Sequence, residues 1–340
     1  MNPNNRQVFL LGAGFNAEAN SEVGPVYGES IYIGKHEIHC AYPLLGDLAQ
    51  VCFDLSSPPV DKSIEGLFQE SLAKREFEPL RRLTHSVMKS DYYLVPRLFP
   101  SPGAAPNSYS KFFTRFRGSQ FLTFNYDSLP ELFLLRQGDW YPHDGYGMPV
   151  IAEVAAGHDH LLGRSSISLV LHLHGSLCLY TSSFTFETTP GESVAWYKTL
   201  PAPKFLFDPD SISPLFTPLQ RLPPVLGYEP IERRVVAPVP DKTEGLRKEF
   251  SDSVYSRAAE VLATSTMPLV TIGYSFNPHD RASYQPILST LRSRNSKLVL
   301  VCPDAAAIHT RLSSEYPELQ VEAIPNTLKS WADADFPGAP

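Results

Sequence analysis

The stretch Val8-Phe9-Leu10-Leu11-Gly12-Ala13-Gly14-Phe15-Asn16 decides how the rest of the chain is read. Four apolar residues without polar alternation predict a strand buried on both faces, as in a parallel sheet, and the glycines break it into a turn that a helix should follow. Gly12, Gly14 and Ala17 fit the relaxed G-x-G-x-x-A spacing, in which small residues let backbone N–H groups approach a pyrophosphate at a helix start. The same residues also suit an ordinary strand-to-helix turn. The acidic residue expected about 20 positions later in a dehydrogenase has no convincing counterpart.

Outward from this turn, the pattern becomes helical from about Pro43 to Phe116, with Leu44, Leu45 and Leu48, then Ile64, Leu67, Phe68 and Leu72, at helical spacing. This region, roughly 40–118, reads as a helical insertion within a single domain that fills the chain. Pro96, Pro100, Pro102, Gly103 and Pro106 predict a loop inside it. Phe121–Phe124 is the next apolar run, followed by a helix through Leu129, Leu132, Phe133 and Leu135. Ile167–Leu173 is a third strand, and Thr181–Pro240, rich in proline and aromatics, reads as short strands and long loops. Alternation then returns: helix about Thr243–Thr264, strand Leu269–Gly273, helix Asp280–Arg294, strand Lys297–Cys302, and a helix from Ala305. Strands separated by helix-length segments imply an α/β fold with a right-handed parallel sheet, whose carboxyl edge is available to a ligand.

Bulk composition excludes several function classes. With 340 residues, 43% hydrophobic and 19% charged, the chain has ample material for a packed core. A formal charge of −7 and the lack of any Lys/Arg run disfavour direct nucleic-acid binding. No apolar stretch approaches the roughly 18–20 residues needed to span a bilayer, and Met1–Gln7 is too polar to begin a secretory signal, so a cytoplasmic location away from membranes is expected. Cys40, Cys52, Cys178 and Cys302 are scattered without a C-x-x-C pair, which indicates neither a metal site nor a disulfide framework.

Three further loops carry polar groups at predicted strand ends. Thr123, Asn125 and Asp127 alternate along an extended segment, so three short polar side chains could face one pocket and suit ribose hydroxyls and a water. For Asp127 the competing reading is an Asx turn capping the helix that follows. His172 and His174 would share a face if their strand stayed regular. A metal pair lacks a third ligand, a satisfied core histidine suits His172, and His174 before Gly175 is better placed to reach a ligand. Gly273-Tyr274-Ser275-Phe276 again offers close backbone approach, with Asn277 or Asp280 as a helix cap.

In order and spacing, Gly12–Asn16, Thr123–Asp127, Leu173-His174-Gly175-Ser176 and Gly273–Phe276 through Asp280 resemble the motif series of bacterial sirtuin-like domains. The resemblance runs from Val8 to about Trp331 and implies a Rossmann-like core with a smaller helical module inserted, NAD+ lying between them. It further implies that Gly12, Ala13 and Gly14 hold the phosphates, and that Phe15, Asn16, Thr123 and Gly273 line the cofactor-binding region. Asn125 and Asp127 would sit at the nicotinamide ribose, His174 would be the catalytic histidine, and Ser275 and Asp304 would serve the adenosine half. The four-cysteine zinc ribbon of lysine deacylases is missing, and Asn16 stands where a serine is often found. Relatives without the ribbon often deplete NAD+ in antiphage defence. The resemblance therefore implies an NAD+ glycohydrolase without a metal, a homo-oligomer, or regulation by a separate protein such as a HerA-type ATPase or a short Argonaute. The competing classes are a non-catalytic NAD or ADP-ribose-binding module and a protein deacylase.

Overall fold

In the computed structural model the described residues are 6–23, 30–33, 36–39, 41–148, 151–152, 164–188, 195–207, 237–240 and 249–339. The amino-terminal part runs Val8–Leu11 (β1), Ala13–Val23 (α1), Ser30–Ile33 (β2), His36–His39 (β3), Leu48–Phe53 (α2), Ile64–Ala73 (α3), Glu78–Leu98 (α4) and Ser108–Arg115 (α5). The middle holds Gln120–Thr123 (β4), Leu129–Gln137 (α6), Ile151–Ala152 (β5), Leu169–His172 (β6), Leu179–Thr188 (β7) and Ala195–Phe207 (β8). Glu249–Thr264 (α7), Leu269–Ile272 (β9), Arg281–Ser293 (α8), Leu298–Val301 (β10), Ala305–Glu315 (α9), Val321–Ile324 (β11) and Leu328–Asp333 (α10) complete it.

Six strands form one all-parallel sheet in the order β11-β10-β9-β1-β4-β6. Counted by their sequence order within that sheet, the arrangement is 6-5-4-1-2-3, the doubly wound order of Rossmann-like folds, and the order reverses between β1 and β9. Ligands in such sheets bind beyond the carboxyl ends of the strands at that reversal. Gly12 follows β1 and Gly273 follows β9, so the two glycine turns are the walls of that crevice.

The unbroken apolar run of β1 follows from its central place. Phe9 and Leu11 belong to the core on one face, with α1 to α6 and α10, while Val8 and Leu10 belong to the core on the other, with α7, α8 and α9. Both faces are dry. Phe9 stands within 5.0 Å of Phe112, 4.8 Å of Phe116 and 5.6 Å of Phe121, ring to ring. Phe9→Ala would therefore cost about 3–5 kcal/mol, as large buried aromatics do.

These contacts refine the helical insertion. Helix α5 packs on the sheet as the crossover into β4, and α2, α3 and α4 share one core with β1, α1, α5 and α6. The loop predicted from Pro96 begins later, because α4 continues to Leu98 and takes in Pro96 near its carboxyl end. In the Thr181–Pro240 stretch, β7 and β8 are long paired strands of 10 and 13 residues rather than short ones. The helix expected from Thr243 is described only from Glu249, and its start lies outside the described residues. The hairpin β2–β3, strand β11 and helix α10 were not expected.

Among the described residues no helix is long and apolar enough to cross a membrane. Cys52, Cys178 and Cys302 are buried free thiols, and Cys40 lies outside the described residues. Burial pushes the Cys52 thiol up to about 12, so it is inert as a nucleophile at neutral pH.

Candidate functional site

Two loops meet at the sheet's reversal almost backbone to backbone. Gly12 N–H donates to the Ile272 carbonyl at 3.0 Å and Gly14 N–H to the Gly273 carbonyl at 2.9 Å. A Cβ at Gly12 would stand 2.6 Å from the Gly273 oxygen, and one at Gly273 would stand 2.2 Å from the Phe15 nitrogen. Gly273 also has φ +64°, so only glycine fits there without strain. The glycines thus let two turns interlock. Because Gly14 N–H is spent on Gly273, and Phe15 N–H on the Gly12 carbonyl, Ala13 at the first helical position carries the turn's N–H with no acceptor within the helix.

A cleft lies on each side of this junction. The first, about 230 Å³, is lined by Gly12, Ala13, Asn16, Asn125, Asp127, His174, Gly273, Ser275 and Asp280, together with Tyr42 and with Leu48, Leu83 and Val87 of α2 and α4. The second, about 280 Å³, is lined by Gly14, Glu18, Gly273, Ser275, Asp304 and Thr327. They share Gly273–Ser275. Together they fall in the roughly 300–1,000 Å³ range of small-molecule sites and give an elongated rather than a round space. Glu65 on α3 accepts a hydrogen bond from Asn277 Nδ2 at 3.4 Å, which ties the module to the loop after β9.

In the first cleft, Asn125 has its orientation dictated by its neighbours. Its Nδ2 donates to the Gly12 carbonyl and to Asn16 Oδ1, both at 3.1 Å. Asn16 Nδ2 in turn donates to Asp127 Oδ2. A backbone carbonyl at one end and a carboxylate at the other fix both amides, since neither can donate. Asn125 Oδ1 is therefore the amide atom left for a ligand in the cleft, and it is an acceptor.

Asp127 is itself occupied. Its Oδ1 accepts the Leu129 N–H at 3.0 Å at the start of α6, so the Asx-turn reading holds, and its Oδ2 holds Asn16. It is buried, at 1% exposure, and burial raises its carboxyl to about 6, a rise added to by Glu131 and opposed by its hydrogen bonds and His172. Both carboxylate oxygens of Asp127 thus have partners within the protein, while the residue also lines the first cleft.

His174 sits against Phe124, ring centroids 4.6 Å apart, and Phe124 stacks on Tyr274 at 4.6 Å. Its Nε2 lies 2.9 Å from Ser283 Oγ on α8. A hydroxyl can donate to a neutral ring or accept from a protonated one, so this contact survives a change in His174 protonation. His172, two residues earlier, ends β6 and points instead to Glu131 and the Asn125 backbone. The strand stops between the histidines, which is why they do not share a face. Among the described residues no group of three His, Cys, Asp or Glu is arranged to hold a metal.

Two residues expected at the cofactor stand elsewhere. Phe15 is fully buried against Tyr109, Phe112 and Phe113, because it lies on the core side of α1. Thr123 is buried too, its Oγ1 donating to the Leu11 carbonyl at 3.3 Å and accepting the Asn125 N–H at 3.0 Å, so it shapes the loop from behind. Asn277 Oδ1 caps the turn at 278–280 by accepting the His279 N–H, at 3.1 Å.

Sequence reasoning missed a buried polar layer under the first cleft. Asp91 Oδ2 accepts both the N–H and the hydroxyl of Ser128 at 2.9 Å, and its Oδ1 accepts the Tyr42 hydroxyl. Burial and the charge of Asp127 push the Asp91 carboxyl well up, and burial with Asp91 pushes the Tyr42 phenol up. Asp91 thereby links helix α4 to the loop that carries Asn125. Comparison with family models and with curated proteins finds no match to this chain.

Proposed function

We propose that the protein is an NAD+ glycohydrolase that releases nicotinamide and ADP-ribose. The observation that carries this reading is the placement of Asn125 Oδ1 and His174 together in a cleft at the sheet's reversal, with a second cleft across the Gly14–Gly273 junction. A dinucleotide needs two such half-sites across the carboxyl edge. The nicotinamide half is assigned to the first cleft and the adenosine half to the second, where Asp304 and Ser275 supply polar groups. Ala13, at the start of α1, supplies an N–H for the phosphates.

In the reaction the bond between C1′ and the pyridinium nitrogen breaks. Its electron pair goes to that nitrogen, and nicotinamide leaves neutral, with no need of a strong general acid. The sugar passes through an oxocarbenium-like state. Asn125 Oδ1 accepts a ribose hydroxyl and orients the ring. Water bonds to C1′, and its proton passes to His174, whose Ser283 contact accommodates the charged ring. Asp127 and Asn16 keep Asn125 in the accepting sense.

Incubation of the protein with NAD+ and separation of the products tests the reading. Nicotinamide and ADP-ribose appearing in equal amounts supports it, and intact NAD+ with tight ADP-ribose binding assigns the cleft to sensing instead. The cellular setting that the sequence resemblance supports is NAD+ depletion in phage defence, by a self-assembling chain or one released by a separate activator. Unchanged cellular NAD+ on infection of cells carrying the wild-type chain would remove that setting and leave the chemistry standing.

A further inference from the structure

The buried pair of His172 and Glu131 has no part in the reaction just described. Both side chains are fully buried. His172 Nδ1 lies 2.9 Å from the backbone carbonyl oxygen of Asn125, and His172 Nε2 lies 2.5 Å from Glu131 Oε1. A backbone carbonyl can only accept, so Nδ1 must carry a proton. The other nitrogen faces a carboxyl group, and the proton between them sits on the ring or on Glu131. In either case the ring donates to Asn125, and the histidine–carboxyl contact fixes the ring's orientation.

We propose that the His172–Glu131 pair is a positioning device for Asn125, gripping its backbone from β6 and α6 while Gly12 and Asn16 grip its side chain. The proposal rests on the reading of Asn125 as the group that holds the ribose. Asn125 lies between β4 and α6, its N–H held by Thr123 Oγ1, and the His172 contact adds a hold on its carbonyl to the two contacts on its side chain.

Every charged or titratable group facing the ring fits this role. Glu131 comes from α6 and Asp127 from the loop before it. Tyr146, from the segment that follows α6, has its ring centroid 6.0 Å from that of His172 and its hydroxyl against Cys178 and Glu131. Burial alone would lower the His172 pKa, but the Glu131 charge and hydrogen bond, with the Asn125 carbonyl and Asp127, hold it above its ordinary value. Donation from Nδ1 to the Asn125 carbonyl does not depend on that charge, since both the protonated ring and its neutral Nδ1–H tautomer supply the donor.

The test uses the full chain in two ways. In protein labelled with ¹⁵N-histidine, His172 Nδ1 should carry a proton from pH 6 to pH 8, its signal assigned by its loss in His172→Asn. An unprotonated Nδ1 in that range overturns the proposal, whatever the variants do. His172→Asn leaves an amide donor near the Nδ1 position, whereas His172→Gln carries its amide towards Nε2 and abandons the Asn125 carbonyl. With folding confirmed by denaturation, His172→Asn should keep kcat for NAD+ within about 3-fold, and His172→Gln should lower it about 30-fold or more at nearly unchanged KM. Equal losses in the two variants, or wild-type kcat in His172→Gln, overturn it. Wild-type protein that neither cleaves NAD+ nor binds ADP-ribose would overturn the reading of the cleft, and the ring-nitrogen signal would still decide the grip on Asn125.

Discussion

Replacing Asp127 with Asn keeps the shape of the side chain and exchanges one acceptor for a donor. The new Oδ1 can still accept the Leu129 N–H, as Asp127 does at 3.0 Å, but the new NH2 then faces the NH2 of Asn16. If Asn16 turns to relieve the conflict, its NH2 meets that of Asn125, which the Gly12 carbonyl holds in place at 3.1 Å. One buried donor is mispaired wherever the chain of amides gives way. Such a donor costs about 1–3 kcal/mol, and if the turned group is Asn125 the ribose loses its acceptor, so kcat/KM for NAD+ should fall roughly 5- to 150-fold.

Stability should respond with a different pH dependence. The Asp127 carboxyl is raised from 3.8 to about 6, so the folded state binds its proton more tightly than the unfolded chain does. Its contribution to stability is full below about 4 and is lost as the pH rises through 6, a change of about 3 kcal/mol at about 1.36 kcal/mol per pH unit. Asp127→Asn does not titrate. Denaturant unfolding of the two proteins from pH 4 to pH 8 should show the variant gaining on wild type by about 3 kcal/mol across that range. A stability difference that is flat with pH, or full NAD+ cleavage by the variant, would refute the relay from Asp127 through Asn16.

Three other perturbations probe separate parts. Gly273→Ala puts a Cβ 2.2 Å from the Phe15 nitrogen in a residue with φ +64°, and should destabilise the fold by about 3 kcal/mol or more; a loss under about 1 kcal/mol in denaturant would mean the two turns do not interlock. Ser283→Ala removes the hydroxyl 2.9 Å from His174 Nε2 and should lower kcat about 3- to 10-fold at constant KM, whereas an unchanged kcat would detach Ser283 from His174. Burial disfavours charge on His172, but Glu131 raises its pKa overall, so its stability contribution is present below about 6.5 and lost as pH rises through the raised value. Glu131→Gln should move that loss to lower pH in unfolding curves between pH 6 and pH 9, and curves that coincide would rule out the charge interaction.

Strands buried on both faces were legible from their apolar runs: Val8–Leu11 and Leu298–Val301 are apolar throughout, and Leu269–Ile272 departs only at Thr271, whose buried hydroxyl donates to the Val299 carbonyl. Strand β11 was not, since at the sheet's edge Val321-Glu322-Ala323-Ile324 is only half-buried and carries a charge. The missing acidic residue about 20 positions after the glycine fingerprint has its reason in the topology, because the second strand of the sheet begins only at Gln120, beyond the inserted module. The cleft residues Asn125, His174 and Ser275 were found because short polar groups at strand ends reach the carboxyl edge. Glu131 and Asp91 escaped because a carboxylate among apolar helix residues reads as a solvent-facing position, and their buried partners His172, Tyr42 and Ser128 lie 37 to 49 residues away.

The most direct test of the account is the fate of NAD+ with purified wild-type chain, Asn125→Ala and His174→Ala, each checked for folding, with nucleotides separated after a fixed incubation. Wild type should release nicotinamide and ADP-ribose together, and each variant should be slower by about 10²-fold or more. Turnover undiminished in both folded variants would contradict the account, because the cleft that brings Asn125 and His174 together would then not be where the bond breaks.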